Sequence, residues 1–155
     1  MLKLYEKINC AFSASEKEAC LPLVRRLIGI NNESRKNGFL SIEDDITNMN
    51  EEKDFFLKTA LQLVLDAPAN YTLITWQKDP IKKSVEAIEN ILSNLVISDG
   101  TTGAELLGRL LIIQGVKAMT NGENSILLCH QLLSMLGTDY LKKAEDYVKS
   151  EYVKA

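Results

Sequence analysis

The side chains able to carry chemistry are few and widely spaced in this sequence. The one histidine, His130, directly follows Cys129, whereas Cys10 and Cys20 lie far away along the chain. Neighbouring residues on a helix point about 100° apart, so Cys129 and His130 cannot act together as nucleophile and base. Their spacing from the other cysteines is not that of a metal site. We therefore predict a structural hydrogen-bonding role for His130, a core position for Cys129, and no metal or other cofactor.

The acidic residues form two clusters, Glu43-Asp44-Asp45 and Glu51-Glu52. Both clusters lie at the predicted starts of helices, where the backbone dipole favours negative charge. The sequence shows no partner base, no glycine-rich phosphate loop and no nucleophile elbow. We therefore predict a protein that is not an enzyme. A small enzyme that uses His130 or a cysteine is a third, less favoured hypothesis, because the sequence places no second catalytic group.

The composition indicates one ordinary globular domain, residues 1–155. Apolar residues make up 46% of the chain and charged residues 25%, which is close to the average for such domains. The net charge of −3 argues against a nucleic-acid partner, since such proteins usually carry a basic excess. No apolar run approaches the roughly 20 residues that cross a bilayer. The N-terminus is too charged for a signal peptide, and three cysteines without CxxC spacing suit a reducing compartment. We predict a soluble, cytoplasmic protein without membrane insertion.

The residue pattern predicts an all-α fold. Leu, Lys, Glu and Ala dominate, and the alternation typical of strands is scarce. We predict a compact bundle of about six or seven helices, with Phe56–Leu65 and Leu106–Met119 as its central elements. The predicted helical segments are residues 16 or 21 to 37, 42–47, 51–66, 80–96, 104–121, 124 or 125 to 136, and 140–154. Residues 71–78 could be helical or extended, and we favour a helix because no other strand is available to pair with them.

Several local predictions accompany this scheme. Ser41 is expected to be an N-cap, with Asp44 as the acid of a capping box. Ile91 and Ile126 fall on the apolar sides of their helices, so we expect both to point inward. Phe55 falls among the polar residues of its helix, so its ring is either exposed or covered by the chain that enters the helix.

Two segments carry a further pattern. Residues 34–67 read SRKNGFLSIEDDITNMNEEKDFFLKTALQLVLDA, and residues 110–137 read LLIIQGVKAMTNGENSILLCHQLLSMLG. In the first, a basic residue precedes a glycine by three positions, and a hydrophobic–Ser–hydrophobic–Glu run and a short acidic helix follow. Both segments resemble cytoplasmic parts of the flagellar stator protein MotA, of the MotA/ExbB-type superfamily. They cover less than half of the chain, in the family's order, and the acidic helix Lys82–Val96 lies where the family has one.

The resemblance implies a soluble helical module with a stator-like cytoplasmic fold. The four membrane helices of the family are absent here, so we expect no ion channel. In the family, one basic and one acidic residue of the first motif are implicated in electrostatic contact with the rotor protein FliG. The matching positions are Arg35 and Glu43, and the resemblance places Lys36 and Asp44 on the same surface. Each also has a structural explanation, since Arg35 lies in the last turn of a helix and Glu43 in the first turn of the next.

Two functional hypotheses follow. The first is a non-enzymatic interaction module, related to motility, that binds a flagellar rotor-type protein through Arg35, Lys36, Glu43 and Asp44. The second is a soluble helical adaptor or regulator, unrelated to the motor, that forms homo-oligomers through an apolar surface. Its candidate contact residues are Phe55, Tyr71 and Trp76.

Overall fold

The computed structural model describes residues 12–69 and 80–146. This part of the chain forms eight α-helices and no strand, so the predicted all-α bundle is confirmed. The predicted helix 71–78, with Tyr71 and Trp76, lies outside the described residues. The helices are α1 (Ala14–Ala19), α2 (Leu21–Asn37), α3 (Ser41–Thr47), α4 (Phe55–Ala69), α5 (Pro80–Asp99), α6 (Gly103–Asn121), α7 (Ser125–Leu136) and α8 (Thr138–Leu141).

Helix α6 lies at the centre of the bundle. Its residues are apolar almost all round, so the helix must be covered on every side. Helices α1, α2, α4, α5 and α7 pack around it. The second predicted central element, on α4, buries Phe56, Leu57, Ala60, Leu61 and Val64. The central position predicted for α6 is therefore confirmed, whereas α4 is one of the helices that pack around it.

Helices α2 and α6 approach each other closely at Gly115. A Cβ atom added to Gly115 would lie 3.2 Å from Leu27 Cδ2 and 3.3 Å from Leu27 Cδ1. Leu27 is fully buried, so its side chain fills the space that the glycine leaves. The missing side chain on α6 is therefore what lets α2 pack at this depth.

The N-terminal helical segment is divided in two at Cys20. Ser13 Oγ accepts a hydrogen bond from the Glu16 amide at 3.2 Å, and Glu16 Oε2 accepts one from the Ser13 amide at 3.3 Å. This reciprocal capping box starts α1. Pro22 then lies in the first turn of α2, where its missing N–H has no helical acceptor to lose.

The prediction of an N-cap at Ser41 is wrong. Leu40 is the N-cap of α3, no side chain caps the helix, and Asp44 therefore belongs to no capping box. Gly38 has a φ of +84°, which turns the chain early enough for α3 to begin at Ser41. The hydroxyl of Ser41 donates to the Gly38 carbonyl at 2.8 Å, so it is engaged with the turn.

The start of α4 also differs from the prediction, since the helix begins at Phe55 rather than at residue 51. Asn50 Oδ1 accepts hydrogen bonds from the amides of Glu52 and Lys53 at 3.0 and 2.9 Å. Asp54 Oδ2 accepts one from the Asn50 amide at 3.1 Å. These bonds satisfy the backbone of residues 50–54 as a turn, so the helix starts one turn later than its charge pattern indicates.

Two inward predictions are wrong, and the predicted C-terminal helix is interrupted, with residues 144–146 helical again after the turn. Ile91 and Ile126 are 43% and 49% exposed, since each lies at the edge of the apolar arc of its helix. Helix α8 ends at Leu141, and a turn at residues 142–143 interrupts the predicted helix 140–154. The predicted residues beyond 146 lie outside the described part.

Candidate functional site

The four charged residues predicted to bind a partner lie together at one corner of the bundle. Arg35 and Lys36 are in the last turn of α2, and Glu43 and Asp44 are in the first turn of α3. All four are exposed. The positive φ of Gly38 produces the sharp turn between the two helices. We call the exposed residues from Arg35 to Asp44 the corner surface.

Two exposed apolar side chains lie within the corner surface. Leu40 is 74% exposed, more than any other large apolar residue in the described part of the chain, and Phe39 is 37% exposed. Ile42, two residues later, is fully buried and anchors α3 to the core. Sequence reasoning missed Phe39 and Leu40. The available signal was a Phe-Leu pair directly after a helix-ending glycine, outside any helical arc.

Arg35 has a structural contact as well as an exposed position. Its Nη1 donates a hydrogen bond to the carbonyl oxygen of Gly122. Gly122 adopts the left-handed conformation that ends α6. The guanidinium therefore meets the carboxyl end of α6, where the helix dipole favours positive charge. The sequence placed Arg35 at the end of its own helix but could not identify this second helix as its partner.

A buried polar network fixes the end of α2 beneath the corner surface. The side chain of Asn31 is fully buried, and its Nδ2 donates to Ser125 Oγ at 2.7 Å and to the Glu123 carbonyl at 3.2 Å. Ser34 Oγ donates to the Asn31 carbonyl at 2.9 Å. These bonds join α2 to the loop between α6 and α7. The Asn31 Nδ2 bonds would be costly to break because the amide is buried, although Asn31 Oδ1 has no hydrogen-bond partner among the described residues.

The acidic side of the corner includes one half-buried carboxylate, that of Asp45. Its Oδ2 has no hydrogen-bond partner among the described residues. Burial raises the pKa of the Asp45 carboxyl, and the nearby charge of Glu33 raises it further. Glu43 and Asp44, in contrast, are exposed to solvent.

His130 and Cys129 have the structural roles that the sequence predicts. His130 Nδ1 lies 2.8 Å from the carbonyl oxygen of Ile126, one turn earlier in α7. A carbonyl oxygen can only accept a hydrogen bond, so Nδ1 is the donor in this contact. Cys129 is 1% exposed and belongs to the core. Cys20 is also buried; burial raises the pKa of its thiol, and Glu16 raises it further. Cys10 lies outside the described residues. Within residues 12–69 and 80–146, no group of three His, Cys, Asp or Glu side chains is placed to hold a metal ion.

In the two described ranges, none of the helices has the combination of length and apolar character that crossing a membrane requires. Comparison with protein-family models, with curated proteins and with solved structures finds no match to this chain. The likeness to the stator family therefore depends on the residues of segments 34–67 and 110–137 alone.

Proposed function

We propose that this chain is a non-enzymatic, cytoplasmic protein-interaction module that binds a protein partner through the corner surface. The observation that carries the proposal is the exposure of Leu40, at 74%, between basic residues on one side and acidic residues on the other. An apolar centre with a charged rim is the usual anatomy of a protein–protein interface. Leu40 would supply affinity by burial, and the rim charges would set the encounter rate and the choice of partner.

We further propose that the partner is a flagellar rotor-type protein. This step depends on the resemblance of Arg35 and Glu43 to the stator positions that face the rotor. The packing of the two stator-like segments supports it, since α4 packs on α6 and Arg35 reaches Gly122. Segments lying far apart would have opposed the kinship.

The contact between Arg35 and Gly122 divides the roles within the corner surface. Arg35 holds the end of α2 in place, whereas Lys36, Glu43 and Asp44 present their charges to the partner. A matching partner would place a carboxylate opposite Lys36, basic side chains opposite the start of α3, and an apolar recess opposite Leu40. Electrostatic recognition of this kind weakens as salt screens the charges.

The first test is binding of the full chain to a flagellar rotor protein, measured by calorimetry. Leu40→Ser removes the apolar centre of the corner surface, and we expect it to weaken binding by roughly tenfold, as loss of a central interface residue does. The matched control is Ile97→Ser, because Ile97 is also strongly exposed, at 54%, but lies on α5. Circular dichroism should show that both variants remain folded.

The second test concerns the charges. Replacing Glu43 and Asp44 together by lysine should slow association and flatten its dependence on salt, because rim charges act mainly on the encounter. Arg35 is left unchanged in this test, since its removal would also affect stability. If the rotor protein binds Leu40→Ser and the lysine variant as it binds the original chain, the proposal is wrong.

A further inference from the structure

The side chain of Asn31, where α2 meets the start of α7, is satisfied only in part by the protein. Asn31 is 0% exposed, and the two hydrogens of its Nδ2 go to Ser125 Oγ at 2.7 Å and to the Glu123 carbonyl at 3.2 Å. Its Oδ1 is also buried and has no hydrogen-bond partner among the described residues. A buried acceptor without a donor is costly and rare in native structures. We therefore expect a donor at this oxygen.

The Glu123 carbonyl fixes which end of the amide needs that donor. A carbonyl oxygen can only accept a hydrogen bond, so the atom of Asn31 that lies 3.2 Å from it must be the nitrogen. The reversed amide would place two acceptors against each other. The group that binds at the other end of the amide must therefore donate a hydrogen.

Two further polar atoms belong to the residues that this amide contacts. Ser125 is 2% exposed, and its Oγ accepts from Asn31, which leaves the hydroxyl hydrogen to be donated. Glu123 Oε2 is buried and has no hydrogen-bond partner within residues 12–69 and 80–146. The three residues thus present two acceptors and one donor. A single water molecule can donate twice and accept, so it matches this set.

We propose that one water molecule binds at this junction. It donates one hydrogen to Asn31 Oδ1 and the other to Glu123 Oε2, and it accepts from the Ser125 hydroxyl. Three hydrogen bonds are the usual number for a buried water. Because Nδ2 and Oδ1 share one carbon and Nδ2 lies 2.7 Å from Ser125 Oγ, a water can bridge Oδ1 and Oγ.

Other small ligands fit the junction less well. An anion is opposed by the Glu123 carboxylate and the Asn31 oxygen, neither of which donates. A metal ion is opposed by the positive amino-terminal end of α7, which starts at Ser125, and by the Arg35 guanidinium at the neighbouring Gly122 carbonyl. Water carries no net charge and meets neither obstacle. It ties the loop between α6 and α7 to α2, independently of the proposed rotor-type partner.

A crystal structure of the full chain at about 1.2 Å resolution tests the proposal directly. We expect a water oxygen about 2.7–3.2 Å from Asn31 Oδ1, within hydrogen-bonding distance of Ser125 Oγ as well. A different donor at Oδ1 overturns the proposal, whether it is a protonated Glu123 carboxyl, a side chain from outside the described residues, or a metal ion.

Water 17O relaxation dispersion gives a second readout in solution, because it counts long-lived bound waters and ignores exchanging hydroxyl hydrogens. Asn31→Leu should lose one such water relative to the original chain. The matched control is Ser34→Ala, which removes a buried hydroxyl from α2 that donates to the Asn31 carbonyl and not to the junction, and its count should stay unchanged. A folded Asn31→Leu variant with the original count overturns the proposal. If this variant does not fold, the crystal structure of the original chain decides.

Discussion

Replacing Gly115 by alanine tests whether the packing of α2 on α6 is as tight as the structure indicates. In a helix interior, Gly→Ala usually stabilises by about 1 kcal/mol, because glycine loses more backbone freedom on folding. Gly29, within α2, is the matched control, since a Cβ there would meet nothing within 4 Å. At Gly115 the same atom would lie 3.2 Å from a methyl group of the fully buried Leu27.

The two substitutions should therefore change stability in different ways. Gly29→Ala should raise the free energy of unfolding by about 0.5–1 kcal/mol. Gly115→Ala has the same gain but also an overpacking cost of about 1–3 kcal/mol, because the buried Leu27 side chain must shift to admit the new Cβ. We expect Gly115→Ala to be neutral or destabilising by up to about 2 kcal/mol. For a domain of this size, each kcal/mol shifts the Tm by about 2–4 °C.

Urea denaturation followed by circular dichroism measures both free energies. The double variant Leu27→Val with Gly115→Ala should be more stable than the sum of the single effects predicts, since valine withdraws the atoms that crowd the new Cβ. If Gly115→Ala stabilises the protein as much as Gly29→Ala does, Leu27 relaxes freely. The close approach of α2 and α6 would then not depend on the glycine.

Three further predictions concern the charged residues. Arg35→Ala should lower the free energy of unfolding by about 1 kcal/mol, because the hydrogen bond from Arg35 to the end of α6 is lost. Lys36→Ala should change this free energy little. Equal midpoints of urea denaturation for the two variants would contradict this prediction. The hydrogen bond from Arg26 lowers the pKa of Asp54, so the charged carboxylate stabilises the fold above the unfolded pKa of about 3.9. Asp54→Asn should therefore destabilise at pH 7, and its deficit in Tm should disappear as the pH falls through the depressed pKa. Burial raises the pKa of Asp45, so the Asp45→Asn variant should be more stable than the original chain at pH 7. This advantage should appear as the pH rises above about 3.9, the pKa of an unfolded aspartate. A difference in Tm that does not change with pH would refute this assignment.

The positions of the long helices could be predicted from the sequence because helical periodicity is a local property. The all-round apolar character of α6 indicated that it is central, and Pro80 and Gly122 marked the ends of helices correctly. The start of α4 could not be predicted in this way. Its position depends on hydrogen bonds from Asn50 and Asp54 that compete with a further helical turn.

The candidate surface was predicted only in part. The resemblance and the helix ends placed Arg35 and Glu43 near each other, since a short turn separates the two helices that carry them. The position of Phe39 and Leu40 after a helix-ending glycine was a signal in the sequence, but their exposure could not be predicted from it, because exposure depends on which neighbouring elements cover a residue.

The sequence by itself therefore determined the fold class, the long helices and the charged corner, since each follows from the order of residues along one or two adjacent helices. Only the tertiary structure decided that Arg35 reaches the end of α6 and that Leu27 fills the space beside Gly115. Each of these contacts joins residues far apart in the chain, and a helical pattern carries no information about which helix will face it.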